Sequence, residues 1–394
     1  MAAREICPNI HAVGTINWDL RYFDALMPTP RGSSYNAYLV QGSEQTALID
    51  TSEAKDEAEF ITNLMKLNVN SIEYIVCLHA EQDHSGLLPL LLDVFPMAKI
   101  VTNEVCRGLL TEMHKLMEPE ERFIVVGDGD TLSLGDKTIR FYLAPWVHWP
   151  DTMFAEVVED KVLFTTDFLG THYASETLFQ NDDLPDYLEA AKRYYAAIMM
   201  PYRASVQEYL QLVRKIDPKF IGPAHGPVLK MPAKILDLYA DWSSDVPKNK
   251  VVIAYVSMHG STKQMVDFLV DDLLEKGVPV NQYNLLDTDS GVLGSAIVDA
   301  ATIIIATPTV LFGPHPVAVS SSYLVRALRP KAKYVGIIGS YGWGSNAVNY
   351  LTEMLSPLGA ELLPSVYIKG LPSETDIGEL HKLADLIAEK HKNL

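Results

Sequence analysis

The segment 79–84 carries two histidines and two acids in six positions, namely His79, Glu81, Asp83 and His84. It follows the apolar run 72–78 directly and precedes a second apolar run at 87–92. Imidazoles and carboxylates in a loop at the C-terminal end of a buried strand can turn together around a metal ion. The alternative is a helix N-terminus near Gly86 that is capped by Asp83 or Ser85.

Three further ligand-type residues stand at the ends of apolar strands. They are His148 in "APWVHWPD", Asp167 in "VLFTTDFLG" and His225 in "FIGPAHGP". A single histidine in such a place is more often a hydrogen-bonded structural residue. Four such places in one chain make coincidence improbable, so the sequence predicts a metal site. His172 follows a glycine loop, and we expect it to lie outside the ligand shell.

The segment "SMHGST" at 257–262 suggests a second site, which would bind an anion. It joins the strand "VVIAYV" to a helix, and hydroxyl and N–H groups at a helix N-terminus suit a monophosphate. The alternative is an ordinary capped turn. No G-x-G-x-x-G or G-x-x-x-x-G-K-[ST] occurs, which disfavours a dinucleotide or a nucleoside triphosphate. The loops after the next two strands, 307–316 and 339–347, place small residues where a planar ring could approach the backbone. The predicted cofactor-binding residues are Ser257, Met258, His259, Gly260, Ser261, Thr262, Pro308, Thr309, Val310, Ser340, Tyr341, Gly342, Trp343 and Gly344, with Tyr341 and Trp343 covering the ring.

The elements that position these residues differ between the two halves of the chain. After a polar segment at 243–250, short β-branched runs alternate with amphipathic stretches, which predicts a doubly wound parallel sheet. The predicted strands are Val251–Val256, Thr302–Ala306, Tyr334–Ile338 and Ser365–Ile368. The first helix carries Met265, Phe268, Leu269 and Leu273 at helical spacing and ends at Gly277.

The first 245 residues mix hairpins with helices. A strand pair turns at Gly42–Gln45, a helix covers 56–67, and a buried strand covers 72–78. Two further strand pairs are predicted within 132–145 and 156–167. This order predicts two sheets covered by helices.

Composition narrows the class of protein. The chain has 394 residues, of which 48% are hydrophobic and 21% charged, so we expect a globular protein of two domains. A formal net charge of −18 argues against binding to nucleic acid or to an anionic membrane. The three cysteines form no C-x-x-C pair, which disfavours zinc ribbons and rubredoxin-type sites and fits a reducing compartment. With no leader or membrane span apparent, we expect a cytoplasmic protein.

The combined motifs carry a family resemblance. The pattern H-x-[HE]-x-D-H, followed by a distant H, D and H, is similar to the metallo-β-lactamase fold, most members of which bind zinc and have histidine where this chain has Glu81. A hard oxygen ligand and an added negative charge favour iron over zinc. Together with "HWPD" and the flavodoxin-like second half, the chain resembles the flavodiiron proteins, also called A-type flavoproteins.

The resemblance implies an αββα metallo-β-lactamase-like sandwich at 1–246, followed by a flavodoxin-like FMN domain at 250–394. It implies two iron ions per chain and no catalytic residues beyond the metal ligands. His79, Glu81 and His148 would bind one iron; Asp83, His84 and His225 would bind the other; Asp167 would bridge them. In some relatives the histidine that matches His84 turns away from the metal, so its orientation is left open. Relatives often have Asn-Asn where this chain has Leu311 and Phe312.

The implied activity is reduction of O2 to water, of NO to N2O, or of both, by a head-to-tail homodimer or a dimer of dimers. The electron donor would be a separate rubredoxin, an NAD(P)H-dependent reductase or a reduced deazaflavin. Two alternatives of other classes are a zinc-dependent hydrolase with a flavodoxin-like appendage and an electron carrier with an inactive metal domain. The sequence leaves the preference between O2 and NO open.

Overall fold

The computed structural model describes residues 3–69, 71–180, 185–230 and 232–394. The chain forms two compact units. The first contains the residues up to Tyr195 together with Tyr202–Asp241, and the second contains Ala196–Pro201 and Trp242–Leu394. The chain therefore crosses from the first unit to the second between Asp241 and Trp242, just before the polar segment 243–250. Within the described ranges, no helix has the length and apolar content needed to cross a bilayer.

The first unit contains two main sheets and two small strand pairs. One sheet has the strand order β1-β2-β7-β8-β9-β10-β11 and the other runs from β12 to β17 in sequence order, while β3 pairs with β6 and β4 with β5. The strands are β1 (Arg4–Cys7), β2 (Ile10–Ala12), β3 (Thr15–Asn17), β4 (Tyr22–Phe23), β5 (Met27–Pro28), β6 (Ser33–Tyr35), β7 (Tyr38–Gln41), β8 (Thr46–Ile49), β9 (Tyr74–Val76), β10 (Lys99–Thr102), β11 (Phe123–Val125), β12 (Thr131–Ser133), β13 (Thr138–Leu143), β14 (Met153–Val157), β15 (Val162–Thr166), β16 (Phe220–Pro223) and β17 (Leu229–Lys230).

Among the described residues, seven α-helices accompany these strands: α1 (Glu57–Lys66), α2 (Gln82–Ser85), α3 (Leu88–Val94), α4 (Glu104–His114), α5 (Pro185–Tyr194), α6 (Arg203–Ile216) and α7 (Ala233–Ser243). A π-helical turn at Tyr195–Met199 and a 3-10 turn at Met200–Tyr202 join α5 to α6. The predicted hairpin at Gly42–Gln45 is present, with β7 and β8 antiparallel.

Side chains that alternate between the two faces of a strand form the apolar core. In β7, Tyr38 and Val40 face the second sheet, whereas Leu39 between them faces the helices. Neighbouring side chains of a strand point to opposite faces, so one strand contributes to two apolar layers. The layer between the sheets contains Phe141 and Phe164, and the layer under α1, α3 and α4 forms the other core.

The second sheet is covered on its far side by helices. The ring centroids of Phe154 in β14 and Tyr209 in α6 are 5.9 Å apart. Those of Phe168 and Tyr239 of α7 are 6.0 Å apart. Val206, Leu210 and Val213 of α6 are buried as well. The layer order is therefore helix, sheet, sheet, helix, which confirms the predicted αββα sandwich.

The second unit is a doubly wound sheet with the order β19-β18-β20-β22-β23, in which β24 also pairs with β22 and β21 with β20. All pairs except β20–β21 are parallel. The strands are β18 (Lys248–Tyr255), β19 (Val280–Asn284), β20 (Ala300–Val310), β21 (Gly313–Pro314), β22 (Tyr334–Tyr341), β23 (Glu361–Leu362) and β24 (Val366–Lys369). The helices are α8 (Ser261–Glu275), α9 (Ser290–Ile297), α10 (Pro316–Leu328), α11 (Ala347–Leu355) and α12 (Glu374–His391).

The predicted strands of this unit are all present, and three of them are longer than expected. Met265, Leu269 and Leu273 of α8 pack into the core, but Phe268 is 39% exposed. Gly277 has a φ of 74° and follows the C-cap of α8, as expected of a helix stop. The edge strand β19 was not predicted, because its sequence VNQYN is largely polar.

Candidate metal centre and cofactor cleft

The loop after β9 brings four ligand-type residues to one end of the sandwich. His79, Asp83 and His84 are buried, and Glu81 is the N-cap residue of α2 with no side-chain capping bond. Both carboxylate oxygens of Asp83 are buried and have no hydrogen-bond partner among the described residues. The Ser85 hydroxyl donates to the Ala80 carbonyl at 2.7 Å. The helix-cap alternative for this segment is therefore wrong.

The other three residues come from loops of the second sheet. His148 lies between β13 and β14, Asp167 directly follows β15, and His225 lies two residues after β16. Because β15 and β16 are parallel neighbours, Asp167 and His225 leave the sheet at the same edge. The N–H of Met153 donates to the Leu78 carbonyl at 3.0 Å, which joins the loop before β14 to the loop that carries His79.

Asp167 lies between two pairs of histidines. Its Oδ2 atom is 3.3 Å from Nε2 of His148 and 3.5 Å from Nε2 of His79. Its Oδ1 atom is 3.1 Å from Nε2 of His84 and 3.3 Å from Nε2 of His225. One carboxylate thus faces both groups, with one oxygen toward each.

The carboxylates of Glu81 and Asp83 each contact only one of the two histidine pairs. Glu81 Oε2 lies 3.1 Å from His79 Nε2 and 3.3 Å from His148 Nε2. Asp83 lies 3.3 Å from His84 Nε2 and 3.2 Å from His225 Nε2. The ligand atoms of His79, Glu81, His148 and Asp167 are within 4.8 Å of one another, as are those of Asp83, His84 and His225. All seven predicted residues are therefore brought together, and His84 points inward.

Hydrogen bonds on the far side of two rings orient them for metal binding. His225 donates from Nδ1 to the Ser34 carbonyl oxygen at 2.7 Å. His79 Nδ1 lies 3.2 Å from a carboxylate oxygen of Asp151. A proton on Nδ1 leaves the lone pair on Nε2, the atom that faces the carboxylates in both cases.

The electrostatics are those of a site built for cations. Burial by itself would lower the pKa of His148, but Asp167 and Glu81 outweigh it and raise that pKa to about 9. Asp167 and Asp83 likewise outweigh burial and raise the pKa of His225 to about 10. Burial would raise the pKa of Glu81, whereas His148 and His79 lower it to about 2.

The donor set fits a pair of first-row metal ions. Each half of the cluster offers two imidazole nitrogens and one carboxylate, and Asp167 adds an oxygen to both. Two histidines with carboxylate oxygen are typical ligands of non-haem iron. The orphaned Asp83 oxygens and the Nε2 atoms of His84 and His225 are buried polar atoms that a metal ion would satisfy.

Two residues that contact the cluster, Tyr194 and Asp151, were not predicted. His172 was predicted to lie outside the ligand groups. Tyr194 of α5 donates its hydroxyl to Asp167 Oδ1 at 3.0 Å. The Asp151 carboxylate contacts His79, and its only sequence signal was its place in "HWPD". His172 is buried 4.8 Å from the His225 ring, outside both ligand groups. Burial and the nearby His225 hold the pKa of His172 well below its usual range.

A cavity of about 440 Å³ reaches the cluster from outside. Glu81 and Asp83 form part of its wall, which gives a small molecule a way to the metal ligands. The other lining residues are Asp24, Glu53, Ala54, Lys55, Gln82, Gly86 and His114.

The second unit has a cavity of about 220 Å³ at the C-terminal ends of β18, β20 and β22. Ten of the predicted cofactor residues line it, namely Ser257, Met258, His259, Ser261, Thr262, Pro308, Thr309, Ser340, Tyr341 and Gly342, together with the unpredicted Gly370. The predicted residues Gly260, Val310, Trp343 and Gly344 do not line it. Gly260 has a φ of 93° and is the N-cap residue of α8, so it shapes the loop instead.

The two-residue loop between β20 and β21 has an unusual sequence for its conformation. Leu311 and Phe312 have φ angles of 47° and 71°, which define the primed hairpin turn that favours Asn and Gly. Leu311 is 96% exposed, and the Phe312 ring stacks on Trp343 at 5.9 Å. An Asn-Asn pair would adopt this turn with less strain.

Comparisons with known proteins agree with both sites. A family model described as ODP family beta lactamase matches residues 34–226. The nitric oxide reductase of Moorella thermoacetica is 32% identical over 98% of each chain. The structure of a rubredoxin oxygen:oxidoreductase from Desulfovibrio gigas is 31% identical, with a TM-score of 0.94 over 99% of each chain.

A flavodiiron protein from Giardia intestinalis is 26% identical and has a TM-score of 0.90, over 99% of this chain and 98% of that one. Similarity at this level extends over both units and is not confined to one fold. The clustered histidines and carboxylates and the cleft at the strand ends lie in the respective units. The chain therefore belongs to the flavodiiron protein family.

Proposed function

We propose that the chain reduces O2 to water, NO to N2O, or both, at a diiron site that receives electrons from FMN. The observation that carries the proposal is the position of Asp167, which offers one oxygen to each of two histidine pairs. The printed names of two relatives, a nitric oxide reductase and a rubredoxin oxygen:oxidoreductase, support both substrates.

The proposed ligands follow the two groups of side chains. His79, Glu81 and His148 hold one iron, and Asp167 bridges to the other. The second iron is held by Asp83, His84 and His225. The inward orientation of His84, with its Nε2 3.1 Å from Asp167, supports including it.

FMN is proposed to occupy the cleft of the second unit, and the domains are proposed to span 1–246 and 250–394. Ser257, Ser261 and Thr262 line the cavity at the N-terminus of α8. Hydroxyl and backbone N–H groups at a helix N-terminus favour a phosphate. Tyr341 stacks on Tyr367 at 6.2 Å, which holds it at the rim where the flavin ring would lie.

When bound, the iron pair supplies the positions for the diatomic and FMN supplies electrons. Reduction of O2 consumes four electrons and four protons and gives two waters; coupling of two NO consumes two of each and gives N2O and one water. The protein's part is to hold the carboxylates and to admit substrate and protons. The Tyr194 hydroxyl fixes Asp167, and the cavity lined by Lys55 and His114 gives access.

A second copy of the chain is the proposed partner, arranged head to tail. Exposed apolar side chains occur close in sequence to the metal ligands and to the lining residues of both cavities, which supports an interface at each. In the first unit these are Trp18, Tyr22, Leu26 and Trp146; in the second they are Met258, Leu311, Phe312, Trp343 and Leu371. The proposed donor is a rubredoxin, an NAD(P)H-dependent reductase or a reduced deazaflavin, and the cytoplasmic location stays a prediction.

The test combines metal analysis with gas consumption on one preparation. We expect two irons and one FMN per chain, and consumption of NO or O2 when a common reduced donor is supplied anaerobically or with oxygen. Asp83→Ala should abolish gas consumption and leave reduction of the flavin by the donor intact. Zinc in place of iron, with hydrolytic activity, would contradict the proposal. The ratio of the two rates establishes the substrate preference.

A further inference from the structure

Asp151 lies behind the cluster, in the turn before β14, with a completely buried side chain. Its Oδ2 atom accepts the backbone N–H of Ala80 at 2.8 Å and lies 3.2 Å from Nδ1 of His79. Its Oδ1 atom lies 3.3 Å from the same ring nitrogen. The carboxylate therefore contacts both the loop that carries the ligands and one of the ligands.

A further layer of side chains holds Asp151. Asn103, the N-cap residue of α4, donates from Nδ2 to the Asp151 carbonyl at 2.6 Å and accepts the Cys106 N–H at 3.0 Å. The Cys106 thiol lies against the Asp151 carboxylate, and burial together with that charge raises the pKa of the thiol well above its usual value. The thiol thus stays protonated, and besides facing the carboxylate it donates to the Cys77 carbonyl oxygen at 3.8 Å.

The two halves of the cluster are not equivalent in this outer layer. His79 is backed by an ionisable carboxylate, whereas His225 is backed by the neutral carbonyl of Ser34 at 2.7 Å. A carboxylate that accepts the Nδ1 proton fixes the tautomer and makes Nε2 a stronger electron donor than a carbonyl does.

We propose that Asp151 is a positioning residue that acts through His79 and makes the ion held by His79, Glu81 and His148 the more tightly retained of the two. This inference rests on the proposed function, because it assumes that two ions bind. Its basis is the pair of contacts that Asp151 makes to His79 and Ala80 and the absence of a matching carboxylate behind His225 among the described residues.

The test is Asp151→Asn in the full-length protein loaded with iron and FMN. The amide can still accept from Ala80, but it then turns its N–H2 toward Nδ1 of His79. That arrangement favours the tautomer with a proton on Nε2, which cannot bind metal. We expect one of the two irons to be lost to a chelator about 10–100-fold faster than in the unchanged protein, and the other at an unchanged rate.

Glu156→Gln is the matched control. Glu156 is buried as well and lies on β14, the strand that follows Asp151, but its carboxylate accepts from the Tyr142 hydroxyl at 2.6 Å. We expect its iron release to stay within about twofold of the unchanged protein. Retention of FMN and the unfolding temperature report whether each variant is folded.

Equal release from Asp151→Asn and the unchanged protein would overturn the inference, as would loss of both irons at similar rates in both variants. If Asp151→Asn does not fold, Cys106→Ala provides the measurement, since it removes only the thiol that lies against Asp151. Faster release of one iron supports the inference, and release that is unchanged or affects both irons overturns it. If the unchanged protein binds no iron, it is the proposed function that fails.

Discussion

Loading the iron-free protein with metal should release protons, because the metal must replace them on the histidines. Without metal, the carboxylates outweigh burial and raise the pKa of His148 to about 9 and that of His225 to about 10. Asp151 and Glu81 raise the pKa of His79 well above its usual value, and Asp83 and Asp167 raise that of His84. Metal binds only neutral imidazole.

At pH 7 the rings of His148 and His225 in the iron-free cluster therefore carry protons, and two ferrous ions should displace at least these two per chain. The apparent affinity for ferrous iron should rise with pH as long as the rings are protonated, because fewer protons then compete with the metal. The logarithm of the affinity should increase by about one per ion for each pH unit near pH 7, because His148 belongs to one group of ligands and His225 to the other. The dependence should weaken as the pH passes about 9 and then about 10, where His148 and His225 lose their protons unaided.

The assay is an anaerobic calorimetric titration of iron-free protein with ferrous iron, in buffers of different ionisation enthalpy at one pH. The dependence of the observed heat on the buffer gives the number of protons released. His172→Gln is the control, because burial keeps the pKa of His172 low and its ring is neutral at pH 7. Release of fewer than one proton per chain, or an affinity that does not change with pH, would refute the reasoning.

The same shifts affect the stability of the iron-free protein. His148 has an unfolded pKa near 6.5 and a folded pKa of about 9, a difference worth about 3 kcal/mol. A raised folded pKa stabilises the fold fully below the unfolded value. We therefore expect the free energy of unfolding of the iron-free protein to fall between about pH 6.5 and 9, and chemical denaturation at several pH values measures it.

Three substitutions test the surrounding structure. Leu311→Asn should raise the free energy of unfolding by about 1 kcal/mol, because Asn tolerates the positive φ at this position. Leu371→Asn, at an exposed site without positive φ, should leave the free energy of unfolding unchanged, and thermal unfolding compares the two variants. Ser373→Ala removes the capping box of α12 and should cost about 1 kcal/mol, seen as faster hydrogen exchange in its first turn. Gly339→Ala places a Cβ atom 1.9 Å from the Thr307 carbonyl oxygen, so the strand must shift at the cleft; we expect a loss of about 2 kcal/mol and reduced FMN content in the purified protein.

Much of the fold was predictable because its signals are local. The hairpin at Gly42–Gln45, the helix α8 with its stop at Gly277 and the buried strand of 72–78 each show in a short window of sequence. The polar edge strand β19 has no such window, since an edge strand needs only its neighbour's hydrogen bonds.

The sequence by itself determined the seven residues of the cluster, because each follows an apolar segment and bears a ligand-type side chain. It also determined that Glu81 can offer a hard oxygen atom to the proposed metal ion, which depends on residue type alone. Only the tertiary structure decided that His84 points inward and that Asp167 divides its two oxygens between the histidine pairs. These facts depend on where loops from two sheets meet.

The same limit explains the residues that the sequence did not reveal. Asp151 and Tyr194 act through hydrogen bonds to His79 and Asp167, partners that lie 72 and 27 residues away along the chain. The strain at Leu311 arises from the sign of a backbone angle, which the two-residue loop between β20 and β21 imposes. Residue type and local pattern are written in the sequence, whereas direction and distance between remote groups arise only when the chain has packed.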